Sequence, residues 1–282
     1  MRIEVKDLTH IYSEGMPFET VALQDVSFTV EPGTFVGLIG HTGSGKSTLI
    51  QHLNGLLKPM SGKVLADGVD VTEKSDISRS LRRKIGLVFQ YPEYQLFEET
   101  VLKDVCFGPK NLGLSQEICE ERAMHALRLV GLDAEDVRDR SPFGLSGGEK
   151  RRVAIAGVLA MDPEVLILDE PTAGLDPKGH NDILNMIQSI RQARDLTIIL
   201  VSHNMDDVAR LADRVLVMEN GTLVMEGPPR SIFTREEQLR QLGLSLPSAT
   251  VLMQLLAGKG YPVRTDVLTA AEAEEEIIRV FG

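Results

Sequence analysis

Short, uninterrupted apolar runs dominate the hydrophobic pattern of the chain. They lie at residues 35–39, 85–89 and 165–168, and a fourth run at 196–202 has an apolar centre between Thr197 and Ser202. Runs of this length without polar alternation are typical of strands that are buried on both faces of a sheet. Strands that alternate with helical segments imply a mainly parallel sheet with right-handed crossovers. The pattern therefore predicts an α/β fold.

Residues near the start of the chain follow a different pattern. Residues 3–5 and 27–30 alternate between apolar and polar side chains, as in a strand with one buried face. These strands precede the first fully apolar run. They predict a small antiparallel β subdomain.

From about residue 91 to residue 160 the periodicity becomes helical. We expect an amphipathic helix over 114–130 and another helix over 149–160. The basic run Lys150-Arg151-Arg152 is expected on the solvated face of the second helix. Because this stretch interrupts the alternation of strands and helices, it predicts an inserted helical subdomain, about 91–160.

The core pattern fades after Ile232. We therefore expect a main domain over residues 1–234 and a small C-terminal appendage over residues 235–282, which ends in an acidic helix. Two interpretations of the appendage stay open. It is either a packing or dimer element, or a regulatory site for a ligand.

Composition narrows the class of protein. A chain of 282 residues can bury a sizeable core, and its net charge of −11 makes it a poor candidate for nucleic-acid binding. No run of 18 or more apolar residues is present, so we expect contact with a membrane only through a partner. Cys106 and Cys119 form no disulfide framework or zinc pattern, and we expect inert thiols in a reducing cytoplasm.

A glycine-rich motif follows the apolar run at 35–39. Small residues let backbone N–H groups approach phosphates, and a helix that begins near Lys46 adds the positive end of its dipole. Lys46 is expected to contact the β- and γ-phosphates of a bound nucleotide, and the Ser47 hydroxyl to ligate Mg²⁺. The motif matches GxxxxGK[ST] and consists of Gly40, His41, Thr42, Gly43, Ser44, Gly45, Lys46 and Ser47, with Thr48 next.

Polar residues follow the other buried runs. Asp169 and Glu170 come after the third run, Gln90 after the second and His203 after the fourth. Asp169 is expected to hold Mg²⁺, directly or through water, and Glu170 to act as the general base for the attacking water. The sequence therefore predicts a site that binds and hydrolyses a nucleoside triphosphate.

A third motif, Leu145-Ser146-Gly147-Gly148-Glu149, lies between the phosphate loop and the paired acids. It precedes a predicted helix, whose N-terminus offers a second place for an anion. The three motifs in this order resemble the ATP-binding-cassette (ABC) ATPases. The resemblance implies a P-loop NTPase core that carries the subdomains and appendage described above.

The same resemblance implies roles for three further residues. Gln90 would contact Mg²⁺ or the attacking water, and His203 would contact the γ-phosphate. Tyr12 would stack on the adenine ring. The alternative for Tyr12 is an ordinary hairpin aromatic.

It also implies that two subunits sandwich two ATP molecules head-to-tail. The cradle formed by Ser146, Gly147 and Gly148 would then serve the ATP of the opposite subunit, and the loop at 173–176 would cross to that subunit. Glu149 stands where many members have Gln, a departure that should leave the cradle intact.

Other segments narrow the resemblance. Residues 90–101, 107–109, 141–144 and 152–157 are similar to the energy-coupling factor ATPases, in particular the second of two paralogous ATPases. Members drive uptake of vitamins and metals. The resemblance implies a paralogous ATPase partner, a transmembrane coupling subunit and exchangeable substrate-binding membrane subunits, with this chain peripheral at the cytoplasmic face of the cell membrane.

The aromatic and acidic segment from Gln90 to Glu99 is the expected docking surface for the coupling subunit. Such a groove suits an amphipathic helix that brings apolar anchors and an arginine, which would pair with an acid such as Glu93. The alternative is that the aromatics belong to the subdomain core and the acids are simply solvated.

Two other functions stay open. One is a cobalt- or nickel-dedicated importer ATPase of the same branch. The other is a soluble cassette ATPase that acts on ribosomes or nucleic acid. The second would need tandem cassettes, a basic linker or a long insertion, and the sequence has none.

Overall fold

Ten strands form two sheets in the computed structural model, which describes residues 1–282. The larger sheet has the order β10-β9-β3-β8-β7-β6, with every neighbouring pair parallel except β9 and β10. The smaller sheet, β2-β1-β4-β5, is antiparallel. The strands are β1 (Ile3–Tyr12), β2 (Thr20–Val30), β3 (Phe35–Ile39), β4 (Ser61–Ala66), β5 (Val69–Asp70), β6 (Ile85–Val88), β7 (Val165–Asp169), β8 (Thr197–Val201), β9 (Arg214–Glu219) and β10 (Thr222–Gly227).

Twelve helices surround these sheets. They are α1 (Lys46–Leu53), α2 (Asp76–Arg83), α3 (Val101–Asn111), α4 (Gln116–Leu129), α5 (Ala134–Val137), α6 (Gly147–Leu159), α7 (Pro177–Ala193), α8 (Met205–Leu211), α9 (Pro229–Phe233), α10 (Glu236–Gln241), α11 (Ser248–Gly258) and α12 (Ala270–Phe281). Short 3-10 turns lie at Pro92–Gln95 and Pro142–Gly144. The predicted α/β class, the mainly parallel sheet and the antiparallel subdomain are confirmed.

The register of the larger sheet aligns the carboxyl ends of its central strands. Val201 of β8 lies opposite both Leu38 of β3 and Asp169 of β7, and Leu168 lies opposite Val88 of β6. Strands β3, β6, β7 and β8 are buried along their whole length, as their mainly apolar sequences predict. The four loops that follow these strands therefore begin at one edge.

Helices α3 to α6 form the helical stretch between β6 and β7. The predicted helix over 114–130 begins at Gln116 because the Ser115 side chain accepts a hydrogen bond from the Ile118 N–H and caps the helix. The helix expected from Glu149 begins at Gly147 because Ser146 caps it in the same way. One apolar cluster of 32 buried residues joins these helices to the sheet.

The basic run on α6 corrects one expectation. Arg151, expected on a solvated face, is only 1% exposed, and Arg152 is half-buried and donates to the Val130 carbonyl at 2.8 Å. Arg151 finds its acceptors on segments far away in sequence. Helical periodicity cannot reveal such partners, because it reports only which residues share a face.

The C-terminal residues continue the core of the main domain. A cluster of 12 buried residues joins Ile39 and Val215 in the sheet to Leu239, Leu244 and Leu268. The division at residue 234 remains a prediction, but apolar packing crosses it. A smaller cluster between α11 and α12 adds Ala249, Met253, Val267 and Ala273.

Two further features concern the cysteines and the length and apolar character of the helices. Cys106 and Cys119 are both buried, free thiols. None of the helices combines the length and the apolar character needed to cross a bilayer.

Replacing Leu239 tests whether the appendage and the sheet share a core. Leu239 is 0% exposed, so Leu239→Ala should lower the free energy of unfolding by about 2–5 kcal/mol. The measurement is urea unfolding followed by circular dichroism. Leu255→Ala is the matched control, because Leu255 is 61% exposed and its loss should change stability by under about 0.5 kcal/mol. Equal stability of the two variants would contradict a shared core.

Candidate functional site

A cleft of about 420 Å³ lies at the carboxyl edge of the parallel sheet. Loops after four strands contribute to it, together with the β1–β2 hairpin. The cleft brings together most of the residues predicted to form the site: Tyr12, Thr42, Gly43, Gly45, Lys46, Ser47, Thr48, Gln90, Asp169, Glu170 and His203. We call it the nucleotide cleft below.

Glycines shape the phosphate loop where side chains would collide. Gly40 has φ 154°, and a Cβ there would lie 2.4 Å from the Met218 carbonyl oxygen. Gly45 has φ 98°, and a Cβ there would lie 2.5 Å from the Ala22 carbonyl oxygen. The loop therefore packs tightly against β9 and β2, which fixes its shape.

The N-terminus of α1 opens toward the nucleotide cleft. Gly45 occupies the cap position and supplies no side-chain cap, so the first N–H groups of the helix keep their capacity for an anion. The Lys46 ammonium donates to the carbonyls of Gly40 at 2.7 Å and His41 at 2.9 Å. Burial lowers the pKa of Lys46, while Glu170 and Asp169 oppose that shift. The Ser47 side chain is exposed and makes no hydrogen bond within the chain.

The two acids occupy the opposite wall. Asp169 ends β7, and Glu170 follows it with φ 49°, a backbone conformation that is unfavourable for a glutamate. Burial and then the Asp169 charge raise the pKa of Glu170 to about 7. Burial also raises the pKa of Asp169, against the attraction of Lys46. Strained backbone and shifted acids together are typical of functional sites.

His203 stands beside the base candidate. Its Nε2 lies 3.3 Å from Glu170 Oε1, an oxygen that is buried without a hydrogen-bond partner. Burial and then the Lys46 charge lower the pKa of His203, so its ring is neutral at pH 7. Gln90 is exposed two residues after β6.

Tyr12 lies at the end of β1, on the hairpin side of the nucleotide cleft. Its hydroxyl lies 3.3 Å from Thr48 Oγ1, which ties the ring to α1. The ring packs edge-on against His10, and 41% of Tyr12 remains exposed. Sequence reasoning missed residues 20–22, which also line the cleft.

The three cradle residues of the third sequence motif, Ser146, Gly147 and Gly148, do not line the nucleotide cleft of the same chain. The Ser146 hydroxyl donates to Glu149 Oε2 at 2.6 Å, and the Glu149 N–H donates to the Ser146 hydroxyl at 3.3 Å. A Cβ at Gly147 or Gly148 would meet no atom within 4 Å. The motif is therefore well formed but faces open space.

Comparison with known proteins agrees with this geometry. The family model described as "ABC transporter" matches residues 23–173. The energy-coupling factor transporter ATP-binding protein EcfA2 of Caldanaerobacter subterraneus subsp. tengcongensis is 56% identical over 279 residues, 99% of this chain and 97% of the relative. The chain belongs to the energy-coupling factor ATP-binding proteins of the ABC transporter family. EcfA2 of Clostridium tetani is 54% identical over 100% of this chain and 98% of the relative.

Solved structures of this family have the same fold. The structure of cbiO1 from Clostridium perfringens, part of the ABC transporter complex cbiONQ, gives a TM-score of 0.75 at 40% identity and covers 89% of this chain and 98% of that one. A dimeric post-hydrolysis state of the ATP-binding cassette MJ0796, bound to ADP and Pi, gives 0.70 at 30% identity and covers 80% and 98%. The expected P-loop NTPase fold and the resemblance to the second paralogue are confirmed.

The raised pKa of Glu170 predicts the pH dependence of hydrolysis by this energy-coupling factor ATPase. Only the carboxylate can accept a proton, so with a pKa of about 7 the rate should fall roughly ten-fold between pH 8 and pH 6. Phosphate release at saturating ATP measures it, with ATP binding followed in parallel. An acidic limb centred near pH 4.5, the ordinary value for glutamate, would contradict the assignment.

Proposed function

We propose that this chain is the ATP-hydrolysing subunit of an energy-coupling factor importer for vitamins or other micronutrients. The observation that carries the proposal is the convergence of Lys46, Asp169, Glu170 and His203 in one cleft. A chain that only binds ATP as a regulator would not need the two acids and the histidine together. Full-length similarity to energy-coupling factor transporter ATP-binding proteins supports the transport role.

The donors in the nucleotide cleft fit ATP with Mg²⁺. The exposed Ser47 hydroxyl, the Asp169 carboxylate and the Gln90 amide are oxygen ligands of the kind that Mg²⁺ prefers. These three residues would hold the ion. When bound, Mg²⁺ supplies positive charge that offsets the negative charge of the phosphates.

The groups that line the nucleotide cleft have separate roles. The uncapped N-terminus of α1 and the Lys46 ammonium bind and orient the phosphates. Glu170 accepts the proton of the attacking water at its carboxylate, and the neutral His203 orients groups beside it. Tyr12 offers its ring to the adenine base, held in place by its contact with Thr48.

A complete site requires a second cassette. Gly147 and Gly148 begin the 13-residue helix α6, Ser146 caps it, and all three residues lie outside the cleft of their own chain. In a head-to-tail pair they would serve the ATP held by the other subunit, and residues 173–176 would lie at the same interface. The similarity to a dimeric ATP-binding cassette supports this arrangement. We propose a paralogous ATPase as the partner.

A groove of about 530 Å³ between α3 and α6 is the proposed docking site for a transmembrane coupling subunit. Phe97 and Phe107 meet edge-to-face at its rim, 4.9 Å between ring centroids, and both are exposed. Asp104 lies inside and accepts hydrogen bonds from the N–H groups of Phe97 and Glu98. Apolar walls with a carboxylate suit an amphipathic helix that carries an arginine. We call this the docking groove, lined by Leu96, Phe97, Asp104, Phe107, Val153 and Met161 among others.

One residue of the expected docking segment has a different role. Both carboxylate oxygens of Glu93 accept hydrogen bonds from Arg151, so Glu93 is not free to pair with an arginine of a partner. Glu98 and Glu99 remain available next to Phe97, which lines the groove. Glu99 pairs only with Lys103, at 2.6 Å, and its side chain is 82% exposed.

With such a partner, this chain would be peripheral at the cytoplasmic face of the cell membrane. Exchangeable substrate-binding membrane subunits would select the vitamin or other micronutrient.

The hydrolytic role is tested by Glu170→Gln. The change keeps the shape of the side chain and removes the base, so phosphate release should fall by on the order of 10²–10⁴-fold while ATP binding persists. Turnover is measured on the reconstituted transporter, and binding with a fluorescent ATP analogue. Glu117→Gln, an exposed acid on α4 without an ion pair, is the control and should keep full turnover. Near-normal hydrolysis by Glu170→Gln would refute the role of Glu170.

The docking groove is tested by reversing two acids at once, Glu98→Arg with Glu99→Arg. Repulsion of a basic partner helix should reduce both co-purification of the coupling subunit and substrate uptake, with ATP binding unchanged. The control reverses Glu117 and Glu121, exposed acids on α4 of the same subdomain, which leaves the same net charge. If both pairs reduced co-purification equally, general charge rather than the groove would be responsible.

A further inference from the structure

We propose that Arg151 is a positioning residue that ties the segment between Gln90 and the docking groove to the turn that begins at Glu170. A shift of that segment when a partner binds in the docking groove would then change the position of the Glu170 carboxylate. This inference rests on the proposed function for its coupling role, but the tie itself is a property of this chain alone.

The planar guanidinium of Arg151 donates hydrogen bonds to two different segments of the chain. Its Nε and Nη2 donate to the two carboxylate oxygens of Glu93, at 3.0 and 2.6 Å. Its Nη1 donates to the carbonyl oxygens of Pro171 at 3.1 Å and Ala173 at 2.7 Å. The side chain of Arg151 is only 2% exposed and that of Glu93 only 15%. Such a bidentate, poorly solvated pair has a fixed geometry rather than a fluctuating one.

One end of this tie is the chain that carries the base. Pro171 and Ala173 lie one and three residues after Glu170. Glu170 itself is held in the unfavourable left-handed region, and its turn is closed by the Ala173 N–H, which donates to the Glu170 carbonyl at 3.1 Å. Strained backbone persists only where surrounding contacts hold it. Arg151 supplies two of those contacts from outside the turn.

The other end is the segment that leaves the nucleotide cleft. Glu93 belongs to the 3-10 turn Pro92–Gln95, which lies between Gln90 in the cleft and Phe97 in the docking groove. Tyr91 reinforces the link, because its ring centroid lies 6.0 Å from the Arg151 guanidinium carbon. A Cβ at Gly174 would lie 3.5 Å from the Tyr91 ring, so the two segments lie close together. The 3-10 turn that contains Glu93 and the turn of Glu170 are therefore both bound by the same buried cation, Arg151.

A lysine at position 151 would keep the charge but not the tie. An ammonium is a compact point charge and cannot present paired donors to Glu93 while it reaches two carbonyls on the other side. Arg151→Lys therefore removes the forked hydrogen bonds but keeps a positive charge beside Glu93. Because coupling of two sites is reciprocal in binding free energy, loosening the tie should also weaken the effect of ATP on the docked partner.

The first measurement is hydrogen exchange on the full chain without partners. In Arg151→Lys the amides of residues 172–176 should exchange faster than in the wild-type chain, with exchange in the sheet unchanged. Arg152→Lys is the matched control, since Arg152 is the next residue on α6 and its contacts, with the Val130 carbonyl and with Asp182 on α7, lie outside the Glu170 turn. Unchanged exchange at 172–176 in Arg151→Lys, or equal acceleration in the control, would overturn the proposal.

The second measurement uses the assembled transporter in membranes. Arg151→Lys should lower kcat by on the order of 10–100-fold, as expected for a misplaced base, with the KM for ATP within about two-fold of wild type. Uptake per ATP hydrolysed should fall as well. A loss of kcat that matched the loss of folded protein, with uptake per ATP unchanged, would reduce Arg151 to a structural residue.

A second variant covers the case in which the lysine variant folds poorly. Replacing both partners, Glu93→Leu with Arg151→Met, leaves no buried charge unpaired and is often tolerated in protein cores. It should fold, shown by its melting temperature, and still lose amide protection at 172–176 and uptake per ATP. A folded double variant with wild-type values would overturn the proposal.

Failure of the proposed function would look different. In that case the wild-type chain itself would not co-purify with a membrane coupling subunit, whatever stands at position 151. The exchange experiment on the chain alone would still decide whether Arg151 holds the Glu170 turn.

Discussion

The alignment of four parallel strand ends is the constraint on which the rest of this structure depends. Because Leu38, Val201 and Asp169 lie opposite one another across neighbouring strands, the loops after β3, β8 and β7 begin at one edge. The loop after β6 joins them through the pairing of Val88 with Leu168. A slip of one residue in any pair would turn its side chains to the other face of the sheet. Unbroken apolar sequence on these strands favours burial, and burial on both faces holds the register.

Opposed electrostatic effects prepare the nucleotide cleft for chemistry. Burial raises the pKa of Asp169 and Glu170 and lowers that of Lys46, while attraction between the ammonium and the acids works against each shift. The result is a fixed arrangement of charge in a poorly solvated place, where electrostatic interactions are stronger than in water. Glu170 also keeps one buried oxygen without a hydrogen bond, close to a histidine that burial keeps neutral.

Helix α6 connects the parts that such an ATPase must coordinate. Its N-terminus carries the motif of Ser146, Gly147 and Gly148, which does not line the cleft of the same chain. Arg151 in its second turn binds both Glu93 and the turn after Glu170. Its later residues, including Val153 and Gly157, line the docking groove. A single helix thus contacts the proposed dimer face, the turn after Glu170 and the proposed partner groove. Movement at one of these places has a direct mechanical route to the others.

The sequence by itself determined the fold class, the motifs and their order, because strand burial and phosphate binding leave local patterns: unbroken apolar runs, glycines at required turns, and polar residues after strand ends. It also predicted most residues of the nucleotide cleft. Only the tertiary structure decided how Arg151 and Glu93 are used and how far the core extends past residue 234. The partners of Arg151 lie about 20 and 58 residues away along the chain, so no local periodicity could reveal them. Burial of a charge depends on which distant groups meet it, and that is fixed only when the chain has folded.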